Sequence, residues 1–353
     1  MIDEIKYIAY SIHQNTIMFS SLKEKDNSIE FEIKNISKSI VNAIRRTCLS
    51  NIRNTAFDEV NFKVNTTSLH DEFLKHRIEL IPVLLERFDE KTMTISNYTF
   101  KLHVTNKPNE PTYVTTNDIE VFEIIDGIEK EVASKNMFIQ EPNPILITRF
   151  PTIIDDKEIQ KLNVEFKLRV GTGIIHTKYS PTTICISIPQ KDKNDETNND
   201  TYKFKLESVG LVSPTEIVTK SFVSIEKLLI KMRNDLSKDN NIQINTVENF
   251  RGIEFVFEKQ SATTGYMIQE MMYELFYNKE ISHVSYHETH PLENTLAFRI
   301  KLIETDTDSY MESGDYINST KKLMTDSLDK LLESLSDIKK KWTDYIEKLK
   351  PTT

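Results

Sequence analysis

FEIKNISKSIVNAIRRTCLS, residues 31–50, and FVFEKQSATTGYMIQEMMYELF, residues 255–276, are the two stretches whose comparison decides the fold. At a constant offset of 224 and without a gap, Phe31 falls on Phe255, Ile33 on Phe257, Ile44 on Ile268, Val60 on Val284 and Phe62 on Tyr286. A fixed internal offset points to two copies of one structural unit. In each copy the alternating residues (FEI, then FVF) predict a strand, Ser and Thr supply helix starts, and a helical apolar pattern follows. The first helix is expected over about Ser37–Ser50, with Ile40, Val41, Ile44, Cys48 and Leu49 on one side. The second is expected over roughly Thr264–Asn278, with Met267, Ile268, Met271, Met272 and Leu275 inward. Two amphipathic helices can align by chance, so what surrounds each copy carries weight.

Each copy leads, after a different length of chain, to a further helix. SFVSIEKLLIKMRNDLSKD, from Ser221, repeats Phe222, Ile225, Leu228, Leu229, Met232 and Leu236 at helical spacing. Near the carboxyl end Leu328, Leu331, Leu335, Ile338, Trp342, Tyr345 and Leu349 recur in alternating steps of three and four, the pattern of a packed seam. A lone helix would leave that seam in water, and the helix at 221–236 is the candidate to cover it.

At 353 residues the chain suits two or three domains. Hydrophobic content of 38% and charged content of 28% fit a globular protein, and no apolar run approaches the ~20 residues that span a bilayer. The start, MIDEIKYIAY, lacks the features of a secretory signal, so a reducing intracellular setting is expected. Cys48 and Cys185 are far apart in sequence and read as small core residues, neither a disulfide framework nor a zinc cluster. A net charge of -9 argues against a protein built to grip phosphate backbones and leaves proteins as the expected partners. Residues 56–182 are β-rich, with stretches such as TFKLHV and NVEFKLRV between proline-bearing turns, and read as an inserted domain. KDKNDETNND, 191–200, is expected to be an exposed loop, and Ser237–Asn245 the linker between the halves. The predicted organisation is α+β: a first domain over 1–55 and 183–240, the insert, and a second domain over 246–353.

IVNAIRRTCLSNI (40–52), followed by AFDEVNFKVNTTSLHDEFLKHRIELIPV (56–83), resembles the α-subunit family of multisubunit RNA polymerases, especially its larger α-like members. HTKYSP (176–181) is similar to that family's His-x-Lys-aromatic-Ser-Pro segment, and FKLESVGLVSPTEIVTKSF (204–222) to the strand entering its last helix. From about 246 onward IEFVFE, GYMIQEMMYELF and HVSYHETHPLENTLAFRIKL resemble the smaller α-like subunit, with His290-Pro291-Leu292 the most recognisable element. The resemblance implies two normally separate subunits in one chain, an arrangement resembling polymerases of large DNA viruses. It implies two dimerisation folds packed about a pseudo-twofold through a helix bundle, with Ile44, Phe222, Ile225, Leu229, Met267, Met271, Leu331, Leu335, Ile338 and Trp342 at the intramolecular interface. The implied role is a non-catalytic platform for two large catalytic subunits and small polymerase subunits, without a cofactor, a membrane or sequence-specific DNA contact of its own. The setting would be the host cytoplasm and virion for a virus, otherwise the nucleus. Some relatives carry a four-cysteine zinc loop in the insert; residues 56–182 contain no cysteine, so no metal is expected.

Arg45 and Arg46 sit on a helix whose apolar face is already assigned, and guanidinium groups suit carboxylate or carbonyl recognition on a partner. Their repeat-related positions are Gln269 and Glu270, so the halves cannot present identical surfaces. Asp71, Glu72, Phe73, His76, Arg77 and Ile81 fall in an expected helix whose mixed charged and aromatic face suits an interface. Glu72 and Arg77 could instead hold the insert internally. His176, Lys178 and Tyr179 stand where the chain returns from the insert, as a partner contact or a structural hinge. The rival reading is a metal-dependent hydrolase using His283, His287 and His290 with a carboxylate such as Glu288; an adaptor of some other complex is a third. Strand-like alternation would hold the first two histidines apart, which disfavours a shared ion. Seven glycines leave little room for a phosphate-binding loop, and none is recognisable.

Overall fold

Alternation in SIEFEIK buries Ile29, Phe31 and Ile33 and turns Ser28, Glu30, Glu32 and Lys34 outward, which makes it a half-buried strand. The computed structural model describes residues 17–83, 97–107, 109–125, 127–132, 137–138, 143–152, 159–190, 201–238, 241–247, 250–258, 260–288, 295–303 and 314–349. In chain order the elements are β1 (Met18–Lys25), β2 (Ser28–Lys34), α1 (Lys38–Ser50), β3 (Arg53–Asn65), α2 (Asp71–Glu79), β4 (Tyr98–Thr105), β5 (Thr112–Thr115), β6 (Ile119–Ile125), β7 (Ile128–Val132), β8 (Leu146–Phe150), β9 (Lys161–Thr172), β10 (Thr182–Gln190), β11 (Thr201–Ser208), α3 (Pro214–Lys238), β12 (Ile242–Val247), β13 (Gly252–Glu258), α4 (Ala262–Phe276), β14 (Ile281–Glu288), β15 (Thr295–Leu302) and α5 (Gly314–Leu349). The segment 191–200 and His290-Pro291-Leu292 lie outside the described residues. None of the described helices is long and apolar enough to cross a membrane.

The chain divides into two compact units, one of residues 1–48, 184–206 and 214–353, the other of 49–183 and 207–213. The first unit holds two four-stranded sheets, ordered β1-β2-β11-β10 and β12-β13-β15-β14. Each is two hairpins joined through their inner strands, with α1 or α4 after the second strand met and α3 or α5 after the last. The α5 seam is buried at Leu328, Leu331, Leu335, Ile338 and Trp342. Trp342 lies against Phe19 and Phe31, ring centroids 5.2 and 4.9 Å away, and its Nε1–H donates to Thr219 Oγ1 on α3 at 3.0 Å. Lys339 pairs with Glu226, and Arg233 with Asp329, on the rim of the same helix pair. Every expected interface side chain is buried in this unit, from Ile44 on α1 through Phe222, Ile225 and Leu229 to Met267, Met271, Leu331, Leu335, Ile338 and Trp342. Leu349, read as the seam's last member, is instead half exposed, because α5 ends there.

The second unit is built on the five-stranded sheet β3-β9-β4-β6-β7 with the pair β5-β8. Its core gathers Phe57, Phe100, Phe138 and Phe166 with Leu74 and Ile78 of α2.

Several expectations need correction. Helix α3 starts at Pro214, seven residues before Ser221, because proline's fixed φ suits the first helical position. Helix α4 stops at Phe276; Asn278 lies at φ 58°, outside helical space. The linker is shorter than Ser237–Asn245, since Ile242, Ile244 and Thr246 pair with Phe257, Phe255 and Ile253. The repeat's last two pairs also fail as structural equivalents. Val60 and Phe62 belong to β3, which pairs with β9, whereas Val284 and Tyr286 belong to β14, whose counterpart in the first sheet's order is β10. Cys48 and Cys185, distant in sequence, are buried thiols that meet; the hydrogen bond between them, then burial, pushes the Cys185 thiol up.

Candidate partner-binding surfaces

Ser37 opens α1 by accepting the Ile40 N–H on its hydroxyl at 3.3 Å, and the apolar stripe Ile40, Val41, Ile44 and Cys48 then turns inward. That leaves Lys38, Asn42, Arg45 and Arg46 on the other side. The Arg45 guanidinium folds back on Asn42 Oδ1 through Nε and Nη2 at 3.1 and 2.8 Å. Arg46 is exposed and, with Lys38, Ser39 and Asn42 of α1 and Ala262, Thr263, Tyr266 and Tyr286, lines a shallow cavity of about 240 Å³. Two cations, Lys38 and Arg46, and two phenol rings, Tyr266 and Tyr286, thus surround one hollow, and such cations donate to carboxylate or carbonyl oxygens. The repeat-related side chains hold two residues of that lining: Gln269 Oε1 accepts the Tyr286 N–H at 3.2 Å, and Glu270 accepts the Ser39 hydroxyl.

In the second unit Asn65 organises the entry to α2. Its Nδ2 donates to Asp71 Oδ1 at 2.6 Å and to the Leu69 carbonyl at 2.9 Å, while its Oδ1 accepts the Thr67 N–H. Asp71 and Glu72 in the first turn and His76 and Arg77 in the last suit the helix dipole. Leu74 and Ile78 point into the core. Outward lie Asp71, Glu72, Phe73, His76 and Arg77, and Phe73 is 69% exposed. Arg77 is spent internally: Nε donates to the Ile147 carbonyl at 2.6 Å and Nη2 to that of Leu146 at 2.9 Å, fastening α2 to β8. Ile81 lies beyond the helix, which ends at Glu79, and is buried. As a surface contact Ile81 is therefore corrected, while Arg77, although exposed, takes up the internal holding role that was its alternative.

Lys178 is corrected more fully. Its side chain is 7% exposed, and Nζ bridges Asp58 Oδ1 of β3 and Glu79 Oε1 of α2, both at 3.2 Å. Burial favours the neutral amine, but the hydrogen bonds that the ammonium donates to both carboxylates outweigh it and raise the Lys178 pKa. Burial alone would likewise raise Asp58; the Lys178 ammonium, the Glu59 backbone N–H and Arg169 overcome it and hold that carboxyl below its ordinary value. Lys178 sits in a tight 3-10 turn, Thr177–Tyr179, where the Lys178 N–H donates to His176 Nδ1 at 3.2 Å. Tyr179 packs on Gly171, where a Cβ would stand 2.6 Å from the ring. Sequence reasoning missed Asp58 and Glu79. Their signal was a lysine inside an otherwise packed turn motif, which needs carboxylates nearby. It also missed Ile174 and Ile175, 62% and 74% exposed beside this turn.

The histidines of the rival reading go separate ways. The His283 ring stands edge-on to Phe250 at 5.1 Å, His287 Nε2 lies 3.7 Å from Glu254, and His290 is outside the described residues. Among the described residues no three His, Cys, Asp or Glu side chains gather as metal ligands.

Residues 30–229 match the family model of the RNA polymerase Rpb3/Rpb11 dimerisation domain. The chain is similar to a conjugation stage-specific protein of Tetrahymena thermophila, 26% identical over 61% of this chain and 93% of the relative. It is 33% identical to DNA-directed RNA polymerase subunit Rpo3 of Pyrococcus horikoshii over 45% of this chain and 55% of that subunit. It is 23% identical to DNA-directed RNA polymerase II subunit RPB3 of Schizosaccharomyces pombe over 63% of this chain and 88% of that subunit. The chain thus spans about half the length of the archaeal subunits it matches.

Proposed function

The chain belongs to the family of the RNA polymerase Rpb3/Rpb11 dimerisation domain, and from that premise we propose that it is a non-catalytic assembly subunit of a DNA-directed RNA polymerase. Its two halves act as a fused pair of α-like subunits and form, within one chain, the platform on which the two large catalytic subunits gather. The observation that carries this reading is the α5 seam: a helix from the second half fills the core of the amino-proximal sheet and covers α3, as a partner subunit's helix would. The repeated strand order of the two sheets supports a duplicated unit related by a pseudo-twofold, with the β-rich insert belonging to the first copy alone. Fusion removes the association entropy of pairing and fixes the ratio of the halves at one to one. Polymerisation belongs to the partners, and the chain works wherever that transcription takes place, small polymerase subunits included.

Two surfaces are proposed to meet the large subunits: the Arg45/Arg46 side of α1, and the outer face of α2 with Asp71, Glu72, Phe73 and His76. Arg77 and Lys178 hold the second of these in place. A tagged chain expressed in its native source is expected to bring down two very large subunits with template-dependent RNA synthesis. Arg45→Glu with Arg46→Glu is expected to release one of them. A wild-type chain that recovers neither rejects the reading.

A further inference from the structure

We propose that the free edge of β10 takes up an extended strand from another subunit of the polymerase, lengthening the first sheet by one strand; this rests on the platform reading above. Among the described residues β10 is the last strand of its sheet and pairs only with β11. An open edge is a row of backbone N–H and C=O groups at strand spacing, and another extended backbone is its natural complement. Along this edge Ile184, Ile186 and Ile188 recur with period two at 41%, 41% and 46% exposure, while Cys185 between them is buried. One face of the edge is therefore a stripe of three β-branched apolar side chains. Soluble edges are usually blunted by lysine, by proline or by a bulge. From Thr183 to Ile188 there is no charged residue, and Pro189 comes only after the stripe.

Both lysines of the neighbouring strand β11 are engaged. Glu30 of β2 is held by Lys203 and Lys205 of β11, at 2.9 and 3.6 Å. The stripe thus calls for an uncharged segment with apolar residues at alternate positions. Area decides whose segment it is. Ile184–Ile188 spans roughly 16 Å at ~3.3 Å per residue, so strand addition there covers only a few hundred Å², far below the ~1,200 Å² of a stable interface. Two copies meeting through β10 alone would not hold together. A strand from a polypeptide already anchored on the same platform needs no more, because tethering gives it an effective concentration of about mM.

Hydrogen exchange on the full chain, alone and in the polymerase purified through it, reads this edge directly. The unpaired amides within 184–188 are expected to exchange at least ~tenfold more slowly in the assembly. Ile186→Lys is expected to abolish that protection while the large subunits stay bound; Ile186→Val is expected to keep it. The isolated Ile186→Lys chain should unfold at nearly the wild-type temperature, since the site is exposed. Unchanged exchange in an assembly that retains its large subunits overturns the proposal and leaves the platform reading standing, as does protection that survives Ile186→Lys. Recovery of no polymerase subunit overturns both. A concentration-dependent dimer of the isolated chain, dissolved by Ile186→Lys, assigns the edge to a second copy and also overturns it.

Discussion

At the scale of the residue, Lys178 shows how a charged side chain changes meaning with burial. In sequence it stands where the chain returns from the insert, readable as a partner contact or as a structural hinge. The carboxylates that enclose it, Asp58 and Glu79, come from elements no local pattern connects to that turn. Lys178→Met is expected to cost about 2–4 kcal/mol, since it leaves two poorly solvated carboxylates facing one another; urea unfolding measures the loss. The acid dependence follows from the depressed Asp58 carboxyl. A depressed carboxyl contributes stability that is present above its unfolded value, ordinarily 3.8, and is lost as pH falls through the folded value. The raised Lys178 pKa acts at the other end: its contribution is full below the ordinary 10.5 and disappears as pH climbs through the folded value. Unfolding curves between pH 2 and 5 should therefore steepen less in Lys178→Met than in wild type. Ile81 fails as a surface residue for a related reason: helical spacing does not hold past Glu79, where the helix ends, and Ile81 is buried.

At the scale of the element, periodicity was informative and ends were not. The apolar stripes of α1, α3 and α5 were visible because each repeats over several turns, and the buried residues follow them. Pro214 was missed as a helix start because the turns after it carry few large apolar residues. A strand followed by a helix forms at each place the 224-residue offset aligns, yet its gapless extension to Val60 and Phe62 misleads, because the chain leaves for a different sheet at that point. Trp342→Ala tests the seam. Loss of a fully buried indole, with its bond to Thr219, should cost about 3–5 kcal/mol, visible as a fall in thermal midpoint, and Trp342→Phe should cost less. Gly252 tests the second sheet, where a Cβ would stand 2.5 Å from the Ile300 carbonyl oxygen. Gly252→Ala must push β13 from β15 and is expected to destabilise by roughly 1–3 kcal/mol, read by chemical denaturation.

At the scale of the whole molecule, the internal repeat and the polar break predict two halves, and both fall in one compact unit, while the β-rich stretch 49–183 with 207–213 forms the other. If the halves are fused subunits, the peptide link between Asn240 and Asn241 is dispensable. Co-expressed 1–240 and 241–353 are expected to purify together as a one-to-one complex, whereas each alone should aggregate through its bared seam; size-exclusion chromatography with mass measurement decides. The strand order also sets an order in time. β2 ends at Lys34 but pairs with β11, which begins at Thr201, while β12 to β15 all lie between Ile242 and Leu302. Closing the first sheet requires the whole intervening stretch to be synthesised and brought back, a slow event by its loop length; the second sheet closes among near neighbours. Strands β1 and β2, made before the rest of their sheet, are thus among the last parts of it to be sealed, and until α5 is complete the hydrophobic bed of Phe19 and Phe31 stands open to chaperones.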